Sequence, residues 1–345
     1  MIVKVPEAFH PKLSVVIPVR NGLPWIGATL HSLLNQSLPA GSFEIIIVDD
    51  GSTDRTVDYC RALLNAQAVN SMIIRQSGSG VSAARNRGVG LANADWIKLL
   101  DADDLLHPDI LEEELSCARE ALPDVAVIAS PWCRFLEFDS GKKSFEQLQR
   151  PEFSNWPTLT LLRADGFVQL GSCLIRKPWY LRVNGFSTNR THVEDIDFLL
   201  RLSDAGGKFV GLSAPDARFF YRVRADSVSM TGRKKILEGS ILNALAVEVR
   251  AKESGRMCNE LKDVLLDVYG QGLRYWFEHD QSRFEDLYCH VRTLEPRYIP
   301  KAPKMLFVLT RALGYPAAER VAKAYRSGKA LARSIRARFT EAAGQ

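Results

Sequence analysis

The 345-residue sequence lacks paired cysteines, long apolar runs and repeated or low-complexity segments, and these absences exclude several classes of protein. Its six cysteines are scattered and form no C-x-x-C pair, so we expect neither a zinc site nor a disulfide framework. Buried free thiols in a reducing compartment are the simplest account of them. No run approaches the roughly 18 apolar residues that a membrane-spanning helix needs.

Two further absences bear on location and partners. The first residues, MIVKVPEAF, contain no apolar core of the length that a signal peptide has, so we expect a cytoplasmic protein. The net charge of +5 is mild, and before the C-terminus no basic stripe is interleaved with aromatic residues, so we expect no nucleic-acid partner. The 46% hydrophobic and 25% charged content is that of a globular protein with one or two domains.

The first hundred residues alternate between strand and helix patterns. The apolar, β-branched runs at 13–19 (LSVVIPV) and 43–50 (FEIIIVDD) predict strands that are covered on both faces. Helical patterns lie between the predicted strands, and Ser52 or Thr53 is the expected N-cap of the second helix. This alternation is typical of a mostly parallel, Rossmann-like α/β sheet.

The pattern changes further along the chain, and we place domain boundaries there. Residues 132–160 are aromatic, charged and interrupted by proline, which favours antiparallel edge strands and a loop. From about Lys234 the periodicity is helical to the end. The predicted regions are therefore 1–130, 131–232 and 233–345.

Three of the early strands end in polar segments, PVRNG, DDGSTD and DADD. Ligands bind at the carboxyl ends of parallel strands, so we expect these segments to form one site. The DADD segment places Asp101, Asp103 and Asp104 within four positions, where like charges repel unless a positive group lies among them. One interpretation is a solvated turn, and the other is a bound divalent cation.

Geometry and chemistry refine the cation interpretation. If the segment is extended, Asp101 and Asp103 point into one cleft and Asp104 points the other way. Carboxylate oxygens suit Mg²⁺ or Mn²⁺, which typically takes one or two carboxylates together with substrate phosphates.

The segment SGSGVSAARNRG also allows more than one interpretation. Gly78, Gly80 and Ala83 satisfy the dinucleotide pattern G-x-G-x-x-A, but that pattern belongs after the first strand, and this segment follows the third. A second interpretation is a glycine turn that lets Arg85 and Asn86 face a nucleotide diphosphate. A third is that Arg85 and Arg87 only solvate a helix face.

Four segments in this order, SVVIPVRNG, EIIIVDDGSTD, SGVSAARNRG and LLDADD, resemble the family 2 inverting glycosyltransferases with the GT-A fold. The resemblance covers roughly residues 12–230. Two later segments extend it: RVNGFS is similar to the acceptor-side segment of the family, and VEDIDFLLRL to the motif that carries the catalytic base. The resemblance implies a GT-A fold with a helical C-terminal extension, in which residues 1–130 bind the nucleotide sugar and residues 131–232 bind the acceptor.

The resemblance also implies roles for individual residues. Asp103 would bind Mn²⁺ or Mg²⁺, and Asp195 would take the proton from the acceptor hydroxyl. Glu194, Tyr221 and Arg224 are further candidates for contacts with the diphosphate or the acceptor. The residues implied to bind the donor are Pro18, Val19, Arg20, Asp50, Gly80, Arg85 and Asp101.

The helix that carries Asp195 gives independent support. Asp195 shares a helical stripe with Leu199 and Leu202, so it belongs to a core-facing side of that helix. Asp197, by contrast, is expected to form an ordinary surface pair with Arg201 at i, i+4.

The chain departs from the family at two positions. Arg20 stands where the family usually has tyrosine, and Arg224 stands where YRVRADSVS would otherwise carry a histidine. An arginine cannot ligate a metal, yet it can hold phosphate oxygens bidentately. The Q-x-x-R-W motif of processive synthases is absent, which argues for the addition of one sugar per acceptor.

The sequence therefore predicts a metal-dependent, non-processive glycosyltransferase. It would move a sugar from a UDP- or dTDP-linked donor to a hydroxyl of a glycan or lipid-linked acceptor, in bacterial surface polysaccharide synthesis. A nucleotidyltransferase acting on sugar phosphates and a catalytically silent GT-A scaffold are the alternatives, and the sequence indicates no oligomeric state.

The C-terminal segment forms a predicted basic amphipathic helix over Ala317–Phe339. Basic residues dominate 301–338, with only Glu319 against them, while apolar residues recur at helical spacing. Such a helix can lie on an anionic membrane surface, here the inner face of the cell membrane. It can equally pack on its own domain or on a partner chain.

Overall fold

The computed structural model describes residues 10–67, 69–138, 140–163, 168–190, 192–224, 232–301 and 303–326. The chain divides into two compact units, Met1–Gly239 and Ser240–Gln345. The predicted boundaries near residues 130 and 232 stay predictions. The strands are β1 (Leu13–Val19), β2 (Phe43–Asp49), β3 (Asn70–Arg75), β4 (Trp96–Leu99), β5 (Leu105–Leu106), β6 (Val125–Ala129), β7 (Trp132–Glu137), β8 (Lys143–Phe145), β9 (Cys173–Arg176), β10 (Lys208–Gly211) and β11 (Phe219–Arg222).

The first unit is a mixed α/β structure around a mostly parallel sheet, which confirms the predicted fold class. Within the described residues this sheet has seven strands in the order β10-β6-β9-β4-β1-β2-β3. β1 pairs in parallel with β2 on one side and with β4 on the other, and β9 alone runs antiparallel to its neighbours, β4 and β6. Every residue of β1 and β2 is buried, as their continuous apolar runs predict.

A second, four-stranded sheet has the order β5-β11-β7-β8 within the described residues. β7 and β8 are the antiparallel pair that the irregular segment 132–160 predicts. β11 pairs in parallel with β7 and antiparallel with β5. Since β5 directly follows the DADD segment, this pairing brings the end of β11 to the same place as the aspartates.

Helices of the first unit pack against its sheets; in α1, for example, Ile26, Leu30 and Leu33 form the buried face that their spacing predicts. The helices of the described residues are α1 (Leu23–Leu34), α2 (Thr56–Asn65), α3 (Val81–Leu91), α4 (Ile110–Glu120), α5 (Pro157–Leu161), α6 (Lys177–Arg182), α7 (Glu194–Asp204), α8 (Arg233–Glu253), α9 (Asn259–His279), α10 (Gln281–Leu294), α11 (Lys304–Leu313) and α12 (315–326).

The expected N-cap of α2 is wrong. The helix begins at Thr56, and the Ser52 hydroxyl accepts the backbone N–H of Asn21 at 2.8 Å. Asp54 satisfies the helix instead, since its carboxylate accepts the backbone N–H of Thr56 at 3.1 Å. Ser52 therefore joins the ends of β1 and β2, which is a tertiary contact that a local capping pattern does not reveal.

The second unit is helical, as predicted, and has a buried polar centre. Glu248 of α8 is almost fully buried and accepts hydrogen bonds from Lys252, Tyr269 and His290 at 2.6–2.9 Å. These three donors together hold the pKa of Glu248 below its ordinary value, although burial alone would raise it.

The C-terminal helix lies partly within the described residues. Its first turns form α12, where Tyr315, Ala318, Glu319 and Ala322 are buried. The Tyr315 ring contacts the Phe284 and Tyr288 rings of α10 and the Tyr298 ring of the loop that follows this helix. This part of the predicted helix therefore packs on its own unit, while residues 327–339 lie outside the described part of the chain. No helix of the described residues is both long and apolar enough to cross a bilayer.

Candidate active site

The carboxyl ends of β1, β2 and β4 meet at one edge of the sheet, as predicted. The backbone N–H of Asn21, after β1, donates to the hydroxyl of Ser52, after β2. The side-chain oxygen of Asn21 accepts the backbone N–H of Thr53 at 2.8 Å. Thr29 of α1 donates to the carbonyl of Ala102 at 3.0 Å. The three polar segments thus form one surface around the aspartate cluster.

Asp50 holds the glycine segment that leads into α3. Its carboxylate oxygens accept the backbone N–H groups of Ser79 and Gly80 at 2.7 and 2.9 Å, and the Gln76 amide at 2.8 Å. Gly80 has a φ of 90°, which favours glycine at this position. Asp50 therefore fixes the loop, and its contact with a nucleotide stays a prediction.

The first predicted donor residues differ in what they present. Pro18 and Val19 are buried in β1, whereas Arg20 at the end of the strand is exposed. The Arg20 guanidinium lies beside Gly78, since a Cβ built on that glycine would be 3.9 Å from Nη1. Of these three, only Arg20 offers its side chain to a ligand.

Arg85 joins two motifs that are far apart in the sequence. It is almost fully buried, and it binds the Asp101 carboxylate at 2.8 Å and the Glu194 carboxylate at 3.0 Å. Burial alone would lower the pKa of the guanidinium, but these two carboxylates raise it above its ordinary value. The interpretation that Arg85 only solvates a helix face is therefore wrong.

The segment around Phe186 supports Arg85 from a third direction. The Phe186 ring lies 5.2 Å from the Arg85 guanidinium and stacks on Phe198 of α7 with ring centroids 4.4 Å apart. Asn86 donates to the Phe186 carbonyl at 2.8 Å and accepts its backbone N–H at 2.8 Å. Asn86 thus anchors this segment and does not face a ligand, contrary to the glycine-turn interpretation of this residue.

Asp195 lies at the start of α7, next to the Arg85 cluster. Leu199 and Leu202 are fully buried, so the predicted core-facing stripe is confirmed, and Asp195 at its end is partly buried. Burial, together with the adjacent Glu194, raises the pKa of Asp195 to about 6. With a pKa of about 6, Asp195 can exchange a proton near neutral pH, and the neighbouring Glu194 carboxylate pairs with Arg85.

The residue before α7 is strained. Val193 has a φ of 58°, a left-handed conformation that β-branched residues rarely adopt.

Asp197, two residues after Asp195 in α7, is buried, and it contacts Arg201 at 2.9 Å and Arg190 at 3.9 Å. The predicted i, i+4 pair with Arg201 is therefore confirmed, but its expected position on the surface is wrong, because the chain buries Asp197.

The aspartate cluster is a turn and not an extended segment. The backbone N–H of Asp104 donates to the Asp101 carbonyl at 3.2 Å. Asp104 is buried, and its carboxylate accepts the backbone N–H of Arg222 at 2.8 Å. Asp104 therefore fastens the turn to β11, which leaves Asp101 and Asp103 as the carboxylates on the open side.

The positive groups among these carboxylates are arginines. Arg85 neutralises Asp101, and the Arg224 guanidinium lies 3.0 Å from the Asp103 carboxylate. Arg222 is buried, donates to the Asp103 carbonyl at 2.7 Å and forms an ion pair with Glu137. Tyr221, which directly precedes Arg222 in β11, is only partly buried.

Two residues of this site escaped the sequence analysis. Trp25 of α1 lies under Arg224, with the guanidinium 4.3 Å from its ring centroid, and Arg222 anchors the aspartate turn. The R-x-R spacing of Arg222 and Arg224 was the available signal, because residues two apart on an extended segment point to the same side, and both arginines contact Asp103.

The donor atoms suit a hard divalent cation, although no cluster of three or more His, Cys, Asp or Glu ligands occurs among the described residues. Burial and the neighbouring Asp101 raise the pKa of Asp103 despite the nearby arginines, so additional positive charge at this carboxylate is favourable. The protein fits a cation held by one or two carboxylates and completed by a ligand's phosphates.

Comparison with known sequences finds similarity to one family over part of the chain. The profile of the family described as glycosyl transferase family 2 matches residues 14–172. An uncharacterized glycosyltransferase of Escherichia coli, YibD, is 35% identical over 122 residues, which are 35% of each protein. The minor teichoic acid biosynthesis protein GgaB of Bacillus subtilis is 26% identical over 65% of this chain. The chain spans about a third of the first relative and 24% of the second.

Comparison with solved structures identifies the predicted GT-A fold. Residues 1–349 of S. aureus TarS, in complex with UDP-GlcNAc, superimpose with a TM-score of 0.67 at 18% identity and 92% coverage of both chains. The mannosyltransferase PcManGT from Pyrobaculum calidifontis, in complex with GDP-Man and Mn²⁺, gives a TM-score of 0.56 at 17% identity, covering 94% of this chain and 81% of the other. At these identities the comparisons establish the GT-A fold.

Proposed function

Because the model of glycosyl transferase family 2 matches residues 14–172, we propose that this chain is an inverting glycosyltransferase with a nucleotide-sugar donor. The observation that carries the proposal is the Asp195 carboxylate, whose pKa is raised to about 6 beside a buried Arg85 that binds both Glu194 and Asp101. A general base is most effective when its pKa lies near the working pH.

The proposed reaction is a single displacement. The Asp195 carboxylate accepts the proton of an acceptor hydroxyl while the oxygen of that hydroxyl attacks the anomeric carbon. The bond between that carbon and the diphosphate oxygen breaks, and the nucleoside diphosphate leaves with the electron pair. Attack from the face opposite the leaving group inverts the anomeric carbon.

The remaining residues position the donor and offset the charge of the leaving group. Arg20 and the Gly80 loop border the nucleotide side, and Arg85 orients Asp101 and Glu194. Asp103 would hold Mn²⁺ or Mg²⁺, which supplies positive charge toward the departing diphosphate. The Mn²⁺ and GDP-Man in the PcManGT complex support this assignment.

We propose a UDP- or dTDP-linked sugar as the donor and a glycan or lipid-linked saccharide as the acceptor, with one sugar added per acceptor. The B. subtilis relative named for teichoic acid biosynthesis and the UDP-GlcNAc in the TarS complex support a role in bacterial surface polysaccharide synthesis. The experiment below distinguishes this function from a nucleotidyltransferase and from a catalytically silent scaffold.

The experiment compares donors and then turnover. We expect UDP- or dTDP-sugars, with Mn²⁺, to raise the unfolding temperature, since ligand binding to the native state stabilises it. Asp103→Ala should remove the Mn²⁺-dependent part of this shift and abolish transfer. Release of pyrophosphate from a nucleoside triphosphate would favour the nucleotidyltransferase, and donor binding without transfer to any glycan or lipid-linked acceptor would favour the scaffold.

We further propose a peripheral site at the inner face of the cell membrane. α11 buries only Leu306 and Thr310 and exposes apolar side chains, Val308 at 62% and Leu313 at 51% among them. Lys304 and the exposed basic residues of α12 add positive charge, which attracts anionic lipid.

Vesicle binding tests the membrane proposal. Sedimentation with phosphatidylglycerol vesicles should be strong at low salt and lost at high salt. Because Tyr315 is buried in the helical unit, a truncation is made after residue 326; it keeps α11 and α12, so it should still sediment with the vesicles at low salt. No sedimentation of the full chain at low salt would contradict the proposal.

A further inference from the structure

Arg224 is held at the aspartate turn from two sides. Its Nη1 lies 3.0 Å from Oδ2 of Asp103, and its guanidinium lies 4.3 Å from the ring centroid of Trp25. Trp25 belongs to the first turn of α1, and Asp103 lies beyond the end of β4. The guanidinium is therefore placed by contacts from two separate elements.

A divalent cation bound by Asp103 would need the space beside this carboxylate that the Arg224 guanidinium occupies. Asp104 is directed to the backbone of Arg222 and Asp101 to Arg85, so Asp103 is the carboxylate of the turn whose charged partner is Arg224. The Asp103 and Arg224 side chains keep only 24% and 27% of their surface exposed, so solvent screens their interaction only in part. A guanidinium cannot ligate a metal, and it repels a divalent cation that approaches the same oxygen.

We propose that Arg224 is a built-in countercation of Asp103, which competes with the divalent cation in the free protein. This inference rests on the proposed function, since it assumes that Asp103 binds a metal. It goes beyond that function in stating that the protein without donor binds the metal weakly and that Arg224 is the cause.

A donor diphosphate would relieve the competition. Phosphate oxygens accept a guanidinium bidentately, so an arriving diphosphate offers Arg224 a further anionic partner. Asp103 is then available to the metal. The negative charge of the diphosphate offsets both the Arg224 guanidinium and the metal ion. Metal and nucleoside diphosphate should consequently bind cooperatively, and the coupling must be the same in both directions.

The test measures Mn²⁺ binding without any sugar or turnover, by electron paramagnetic resonance of free Mn²⁺. Arg224→Gln should tighten Mn²⁺ binding about tenfold or more, which is the order expected when a hydrogen bond to a charged group no longer competes. The matched control is Arg119→Gln, which removes the same charge from an exposed residue of α4 and should leave Mn²⁺ affinity unchanged.

Two further variants connect the effect to the contacts in the structure. In an Asp103→Asn background, Arg224→Gln should no longer change Mn²⁺ affinity, since the shared carboxylate is gone. Trp25→Leu should also tighten Mn²⁺ binding, by a smaller factor, because it releases the guanidinium from one side. This variant keeps the test valid if Arg224→Gln does not fold.

Addition of UDP supplies the last comparison. UDP should raise the Mn²⁺ affinity of the wild type more than that of Arg224→Gln. Equal Mn²⁺ affinity in wild type and Arg224→Gln, or an increase that Arg119→Gln reproduces, would overturn the inference. Failure of sugar transfer alone would contradict the proposed function and leave these Mn²⁺ titrations unaffected.

Discussion

Replacing Glu194 with glutamine should shift the pH dependence of the enzyme toward acid. Asp195 must be deprotonated to act as a base, so kcat/KM should fall as the pH drops through about 6. Glu194 is the neighbouring charge that raises the pKa of Asp195, after burial itself. Glutamine keeps the shape and an oxygen for Arg85 but removes the negative charge, so the pKa of Asp195 should fall.

The magnitude follows from the charge that is removed. A unit charge about 6 Å away contributes roughly 3 kcal/mol at an effective dielectric constant of ~20. Screening by water and relaxation of Arg85 toward Asp101 reduce this, so we expect the acidic limb to move about one pH unit lower, equivalent to about 1.4 kcal/mol.

The assay is kcat/KM between pH 4.5 and 8, since this parameter reports the protonation of the free enzyme. Glu112→Gln is the matched control, because Glu112 is only partly buried on α4 and pairs loosely with Arg119, at 3.7 Å. An acidic limb that stays in place in Glu194→Gln, or that moves toward higher pH, would refute the assignment of Asp195 as the base perturbed by Glu194.

Three predictions concern stability. Val193→Gly should raise the free energy of unfolding by about 1 kcal/mol in urea titrations, since glycine tolerates the φ of 58°; a loss of stability would show that the valine side chain matters more than the strain. Asp54→Ala should lower it by about 1 kcal/mol, because α2 loses the acceptor for the Thr56 N–H, whereas Ser52→Ala should leave the helix cap intact. Glu248 has a lowered pKa in the folded state, so its ionised form contributes full stability above its unfolded pKa of 4.5. This contribution is lost as the pH falls through the lower pKa of the folded state. Glu248→Gln should therefore destabilise the helical unit at pH 7 and reduce the acid dependence of its unfolding.

The sheet was predictable because its strands are buried on both faces. β1 and β2 are continuous apolar runs, and such runs leave little choice of structure or position. The meeting of the polar segments at one edge follows from the parallel arrangement alone. The core-facing position of Asp195 was likewise encoded locally, in the spacing from Asp195 to Leu199 and Leu202.

The predictions that failed depended on contacts between distant segments. Ser52 fits a helix cap by its sequence, but Asn21, 31 positions earlier, competes for the hydroxyl. Asp197 has the spacing of a surface pair, but Arg190 and the packing of α7 bury it. The aspartates form a turn because Asp104 binds the backbone of β11, 118 positions later.

The most important feature of the site was also beyond a local pattern. Arg85 connects Asp101 with Glu194, and these three residues lie in three separate motifs. The sequence identifies each motif, but only the folded chain shows that one buried guanidinium joins them. The same holds for Trp25 and Arg224, which are separated by nearly the whole first unit.

The turnover of Asp195→Asn, measured beside its donor affinity, tests the central claim most directly. Asparagine has nearly the same shape but cannot accept the proton, so kcat should fall by about 10²–10⁴, the usual contribution of a general base. Calorimetric affinity for the nucleoside diphosphate with Mn²⁺ should remain that of the wild type, because the proposed donor and metal contacts lie on Arg20, the Gly80 loop and Asp103. Near-wild-type turnover in Asp195→Asn would contradict the account and make Glu194 the next candidate for the base.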